Sequence, residues 1–281
     1  MRYVTMLLLA AVLTATVRAE EAAPDGVPEG AAAEAAAKAK AEEERVERFV
    51  KARIPKFRST YKSSKVRTRC NALLDLSLDP HPLVIEELAK VVKKEREVEV
   101  RDALFMILGE MKPYVKEAGD VIKAHVRGEQ KQPEVLKSMA RSIGRLGYTG
   151  AHNELVWLLD HADHGVVTEA IRAIGDVKDI KAVPNLHELA RREGKGDSWE
   201  TGEVKVDTGA AGDADQKAAE AQWNAKYGNQ QRRGAGETVV KTWMRELREA
   251  LEKITGKKFE TLSELEAWME EHREEIGLPK R

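Results

Sequence analysis

The chain has 281 residues, with 47 Lys and Arg against 48 Asp and Glu for a formal charge of −1, and aromatic residues make up only 5%. That near-neutral balance argues against a general nucleic-acid binder. A single cysteine excludes an intramolecular disulfide framework, so the fold must be stabilised by packing.

Residues 1–19 read as a secretory signal peptide, with Arg2 at the start, an apolar run from Met6 to Thr16, and small residues around Ala19. The run is too short for a bilayer span, although an uncleaved tether is the competing reading. Cleavage would remove Arg2 and Arg18 and no acid, leaving 45 basic against 48 acidic residues, a charge of −3. The expectation is an exported protein, periplasmic or extracellular, with no transmembrane segment after cleavage. Residues 20–44 form an Ala/Glu-rich leader. It is flexible around Pro24-Asp25-Gly26, and then has high helix propensity from Gly30 to Lys38 with no apolar stripe to bury, so it reads as a spacer. Val46, Phe49, Val50 and Ile54 then share one helical face before Pro55, which suits a cap on whatever follows.

From Val66 one template recurs. Apolar residues fall at offsets 0, 4, 7 and 8: Val66, Cys70, Leu73 and Leu74; Val100, Leu104, Ile107 and Leu108; Val135, Met139, Ser142 and Ile143; Val166, Ala170, Ala173 and Ile174. Serine breaks the cycle once, and the starts lie 34, 35 and 31 residues apart. Gly109, Gly144 and Gly175 occupy offset 9, where a turn after each helix is expected, with Asp75 in that place in the first unit. Second helices are expected over 83–92, 115–126, 151–159 and 181–190. A period of this length predicts an α-solenoid in which each unit buries its apolar face only by stacking on its neighbours.

The segments Val100-Arg101-Asp102-Ala103-Leu104 with Leu108-Gly109, and Val166 to Ala170 with Ile174-Gly175-Asp176, resemble the HEAT repeat, in the short bacterial variety related to phycobilisome-lyase repeats. The resemblance covers about residues 60–192 and extends toward 237–255. It implies a curved right-handed superhelix that binds proteins and carries no catalytic residues.

Residues 193–236 form a glycine-rich insert. Ser198-Trp199-Glu200 and Val204-Lys205-Val206 around Thr201-Gly202-Glu203 suit a short β-hairpin, and Asp213 to Tyr227 suits a helix with Ala219, Trp223 and Tyr227 as its stripe. Beyond it, Val240, Met244, Leu247 and Leu251 resume helical spacing, Gly256 is a C-cap, and Thr261 to Glu264 opens a capping helix over 262–276 that presents Leu265 and Trp268. The stretch 251–268 also resembles terminal segments of exported bacterial HEAT-type proteins. The expected architecture is all-α: a leader over 20–44, four to five helical hairpins over 45–192 and 237–281, a small α/β insert and a C-terminal cap.

Candidate chemistry is sparse. Asp160-His161-Ala162-Asp163-His164 with His152 contains zinc-ligand types, but Asp163 also suits an N-cap for the next helix, and Asp207, Asp213 and Asp215 do not match a calcium-loop spacing. No metal, cofactor or catalytic residue is assigned, since no nucleophile motif is present. Cys70 in a repeat column reads as a small apolar residue. From Arg48 to Cys70 there are nine basic residues and no acid; Arg53, Lys56, Arg58, Lys62, Lys65, Arg67 and Arg69 are the anion-site candidates, for an anionic lipid or acidic polymer. The leading expectation is a non-catalytic scaffold binding a protein partner through its concave face and the insert aromatics Trp199, Trp223 and Tyr227. The anion-binding reading is the alternative, with a hydrolase or metalloprotein third.

Overall fold

The computed structural model describes residues 29–193, Trp199 and 243–279. The expected signal peptide, the hairpin apart from Trp199, and the 213–227 helix lie outside those residues. The described elements are helical, with no strand among them, in keeping with an all-α solenoid. They form two compact units, one running through Glu154 and one from Leu155.

The first unit opens with one long helix, α1 (Glu29–Tyr61), which absorbs both the alanine run and the expected cap and passes through Pro55. A proline inside a helix removes a hydrogen bond and crowds the preceding turn. Here the apolar stripe continues beyond it: Val50 and Phe57 are both buried, each contributing about 2 kcal/mol by burial. Phe49, expected on that face, is 54% exposed. Then come α2 (Val66–Ser77) and α3 (Pro82–Val92), α4 (Val98–Gly109) and α5 (Val115–Lys123), then α6 (Pro133–Leu146) and the start of α7 (His152–Leu158). Each pair is a helical hairpin of the kind the spacing predicts. Pro82 and Pro133 sit in the first turns of α3 and α6, where the missing N–H costs nothing. The template-bearing helices α4 and α6 pack against each other along their length.

The second unit contains the remainder of α7, then α8 (His164–Val177), α9 (Val183–Glu193), α10 (Trp243–Thr255) and α11 (Leu262–Glu271). Although the insert separates them in sequence, α10 packs on α8 as α6 packs on α4, and α11 packs on α9. A fifth hairpin therefore completes this unit. Gly256 ends α10 at φ +71°, as expected of a C-cap, while α11 stops at Glu271, short of the expected Ile276.

Two expectations about the template change. In the inner units the columns are buried: Val100, Leu104 and Leu108, Val135, Met139 and Ile143, Val166, Ala170 and Ile174 are all fully buried. In α2, however, Leu73 is fully buried and Leu74 is 54% exposed, with Ala72 and Leu76 completing the inner face. One residue along a helix is about 100° of rotation, so the buried face in the second half of α2 is set back by one position from the Val66 template, while neither Lys65 nor Val66 is buried. In the fifth unit the expected Met244, Leu247 and Leu251 are buried and Val240 lies outside the described residues, while Trp243, Leu247, Ala250 and Leu251, all buried, fall at offsets 0, 4, 7 and 8.

The second change concerns glycine. Gly144 and Gly175 lie within their helices and do not make the turns, while Gly109 is the last residue of α4. A Cβ at Gly109 would come within 2.7 Å of the Ser142 Cβ, and one at Gly175 within 2.8 Å of the Ala250 Cα. Glycine on one helix and a small residue at offset 7 on the next therefore let successive helices approach closely, which is why Ser142 stands where the pattern seemed to break. In the first unit the corresponding residue is Leu74, and α2 and α4 pack less extensively. After α6 and α8 the turns are made three residues beyond the glycine, where Gly147 and Lys178 adopt left-handed conformations at φ +67° and +57°.

Candidate functional site

The basic stretch lies on the second half of α1 and the start of α2, and acids distant in sequence meet much of it. Arg53 pairs with Asp79 and also donates to the Asp75 carbonyl. Arg58 forms a two-pronged pair with Glu87 at 2.6 and 2.7 Å, and Arg69 donates to both oxygens of Glu95 at 2.9 and 2.7 Å. Nearer partners take two more, with Lys51 on Glu47 and Arg48 on the Glu44 carbonyl. Of the seven candidates, Lys56, Lys62, Lys65 and Arg67 are exposed and form no ion pair among the described residues.

These pairs fasten α1 to the first hairpin. Glu95 is buried and accepts from Arg69, the Tyr61 hydroxyl and the backbone amides of Arg96 and Glu97. Burial, the largest influence on Glu95, works to raise its pKa; the Tyr61 hydroxyl, the two amides and Arg69 outweigh it and hold the carboxyl below its ordinary value. Glu87 is held low chiefly by Arg58. Burial, and then Glu95, push the Tyr61 phenol well above its usual range. The acids lie 26 to 29 residues beyond their arginines, about the length of one hairpin, and Arg101 with Glu129 repeats that separation in the next unit. That interval is a signal that reading local charge runs overlooks.

Between α1 and α3 these groups border a cleft of about 480 Å³. Phe57, Tyr61 and Val91 provide apolar surface, while Lys62, Lys90 and Lys94 join the paired arginines at its edge.

The other candidates have structural duties. Asp163 caps α8 by accepting from the Val166 amide at 3.1 Å, as its position suggested. His161 Nδ1 accepts from the Asp163 amide, and Asp160 pairs with Arg192 at 2.9 Å. No cluster of three metal-ligand side chains occurs among the described residues. Cys70 is half-buried, and burial pushes its thiol pKa up, the opposite of what a thiolate nucleophile needs.

Of the insert aromatics, Trp199 is buried at 7% exposure, and its indole nitrogen has no hydrogen-bond partner among the described residues. Trp223 and Tyr227 lie outside the described residues. Within the second unit, Glu246 on α10 is 2% exposed and receives Arg172 of α8 at 2.9 Å, and Lys253 reaches Asp176 at 2.6 Å. Both pairs join the fourth hairpin to the fifth across the sequence gap left by the insert.

Residues 120–197 match the family model of HEAT repeats. The match spans the third and fourth hairpins. Over those residues the chain is similar to HEAT repeats, a type of repeat commonly used as a protein-interaction scaffold and generally not catalytic. A search of curated proteins finds no match.

Proposed function

We propose that this chain is an exported, non-catalytic scaffold that holds a protein partner through its helical repeats and the aromatic insert. The observation that carries the reading is the stacked hairpin architecture, its likeness to HEAT repeats included: residues on the buried faces are spent on packing and on pairs such as Arg101 with Glu129, and the outward faces are left for recognition. Export rests on the Arg2, Met6 to Thr16 and Ala19 pattern. In this reading the insert serves recognition, since the fifth hairpin has its own ties to the fourth through Gly175, Arg172 and Asp176.

The test is crosslinked capture from the envelope fraction, comparing the intact chain with one lacking residues 197–229. A partner retained by the first and lost by the second supports the proposal. Equal capture by both would remove the insert from it. The second reading, anion binding by the basic stretch, is favoured by the four cations left unpaired there. Salt separates the two, because contacts between exposed charges are screened over about 10 Å at 0.1 M ionic strength while an apolar contact is nearly indifferent.

A further inference from the structure

We infer that the cleft between α1 and α3 is a binding site for a phosphate-bearing anion with a planar or apolar body, held by Lys62, Lys90 and Lys94. This deepens the anion-binding reading by moving it off the linear basic stretch and onto a cavity, two of whose lysines come from the first hairpin. It does not depend on the scaffold proposal.

The argument begins with charge. Five cations line the cleft, Arg58, Lys62, Arg69, Lys90 and Lys94, against the carboxylates Glu87 and Glu95, so the lining carries three positive charges in excess. Neither carboxylate is available to a ligand cation: Glu87 is occupied by Arg58 and Lys90, and Glu95 by Arg69, Tyr61 and two amides. The arginines are held in place by the same bonds. What remains for a ligand is the lysine rim. Lys62 and Lys94 are exposed and form no ion pair among the described residues, and Lys90, exposed as well, gives one N–H to Glu87 at 3.3 Å and keeps its other two donors. Ammonium groups on flexible stems suit a compact dianion with several acceptor oxygens, and a cleft bounded by apolar walls focuses their field.

The walls supply the second half of the argument. Phe57 and Tyr61 stand with ring centroids 5.3 Å apart, Val91 adjoins them, and the Arg69 guanidinium sits 6.0 Å from the Tyr61 ring centroid. Phe57 and Val91 are themselves buried, so a ligand with only a charged head would leave the partly exposed Tyr61 ring wet. An attached planar or apolar body would cover it, with a gain that scales with the area removed from water.

The experiment titrates the protein with phenyl phosphate and with inorganic phosphate, followed by amide chemical shifts. The expected result is saturable binding with shifts clustered at Tyr61, Lys62, Lys90 and Lys94, and phenyl phosphate tighter than phosphate by roughly tenfold. The double variant Lys62→Ala/Lys94→Ala should weaken phenyl phosphate at least about tenfold. Its control is Lys93→Ala, an exposed neighbour that does not line the cleft and should change affinity less than about twofold. All three residues are solvent-facing, and unchanged circular dichroism confirms that the fold is intact. Co-sedimentation with phosphatidylcholine vesicles containing phosphatidic acid identifies the source of the phosphate. Retention that requires Lys62 and Lys94 assigns a lipid headgroup, and soluble binding without retention assigns a free phosphoester. No binding in either format, or equal losses in the control and the double variant, would overturn the inference.

Discussion

Replacing Gly175 with alanine sets two effects of opposite sign against each other. Alanine inside a helix is favoured over glycine by roughly 0.5–1 kcal/mol, so a helix considered alone would be stabilised. The structure places the new Cβ 2.8 Å from the Cα and 2.9 Å from the Cβ of Ala250. The first of these is a backbone atom, which no side-chain rotation can move aside, so α8 and α10 must separate. Overpacking of this kind costs roughly 1–3 kcal/mol. Subtracting the propensity gain leaves a net destabilisation of about 0–2.5 kcal/mol, centred at about 1 kcal/mol. Gly109→Ala should behave similarly, because the Ser142 Cα lies 2.9 Å from the added methyl. Urea unfolding followed by circular dichroism measures both. If both variants match or exceed the parent in stability, the glycines are not sites of close helix approach and the account of the stack is wrong.

Other outcomes follow from the same contacts. Leu73→Ala should cost roughly 2–5 kcal/mol and Leu74→Ala only a few tenths, since one is fully buried and the other 54% exposed; equal costs in urea unfolding would restore the Val66 register. Glu87, Glu95 and Glu246 are held below the 4.5 of a free glutamate, so their contribution is complete above that pH and is lost as pH falls through the folded values. The urea midpoint should therefore drop between pH 7 and pH 3 more steeply in the parent than in Glu95→Gln, and parallel profiles would contradict the assignment. Protein from the native host should begin at or near Glu20 on N-terminal sequencing, and an intact Met1 would remove the export proposal.

The repeat architecture was legible because stacking imposes a strict spatial period and burial writes it into the sequence as apolar columns. The second helices, the Asp163 cap, the Gly256 terminus and the buried Leu265 and Trp268 were all readable from local pattern. The capping box was half readable: Thr261 accepts from the Glu264 amide as expected, while the Glu264 carboxylate bonds the Glu260 amide instead of Thr261. What a linear reading missed depends on contacts between hairpins. Offset-9 glycines look like turns until Ser142 and Ala250 are seen against them. The first unit's register is ambiguous because leucine occupies both positions 73 and 74, and only packing decides which one turns inward. The basic stretch looked uncompensated because Asp79, Glu87 and Glu95 arrive one hairpin later. Its free lysines gain meaning only beside Lys90 and Lys94, which lie on the facing segment.

The central claim, that the repeats and the insert together hold a protein partner, is tested most directly by measuring the affinity of a captured partner for the parent and for Trp223→Ala at low and at physiological salt. Aromatic anchors commonly account for 2 kcal/mol or more of an interface, so the account predicts a loss of about thirtyfold or more on substitution, with unchanged helical content and little dependence on salt. Equal affinity for both proteins, together with binding to the parent that collapses as salt rises, would contradict it.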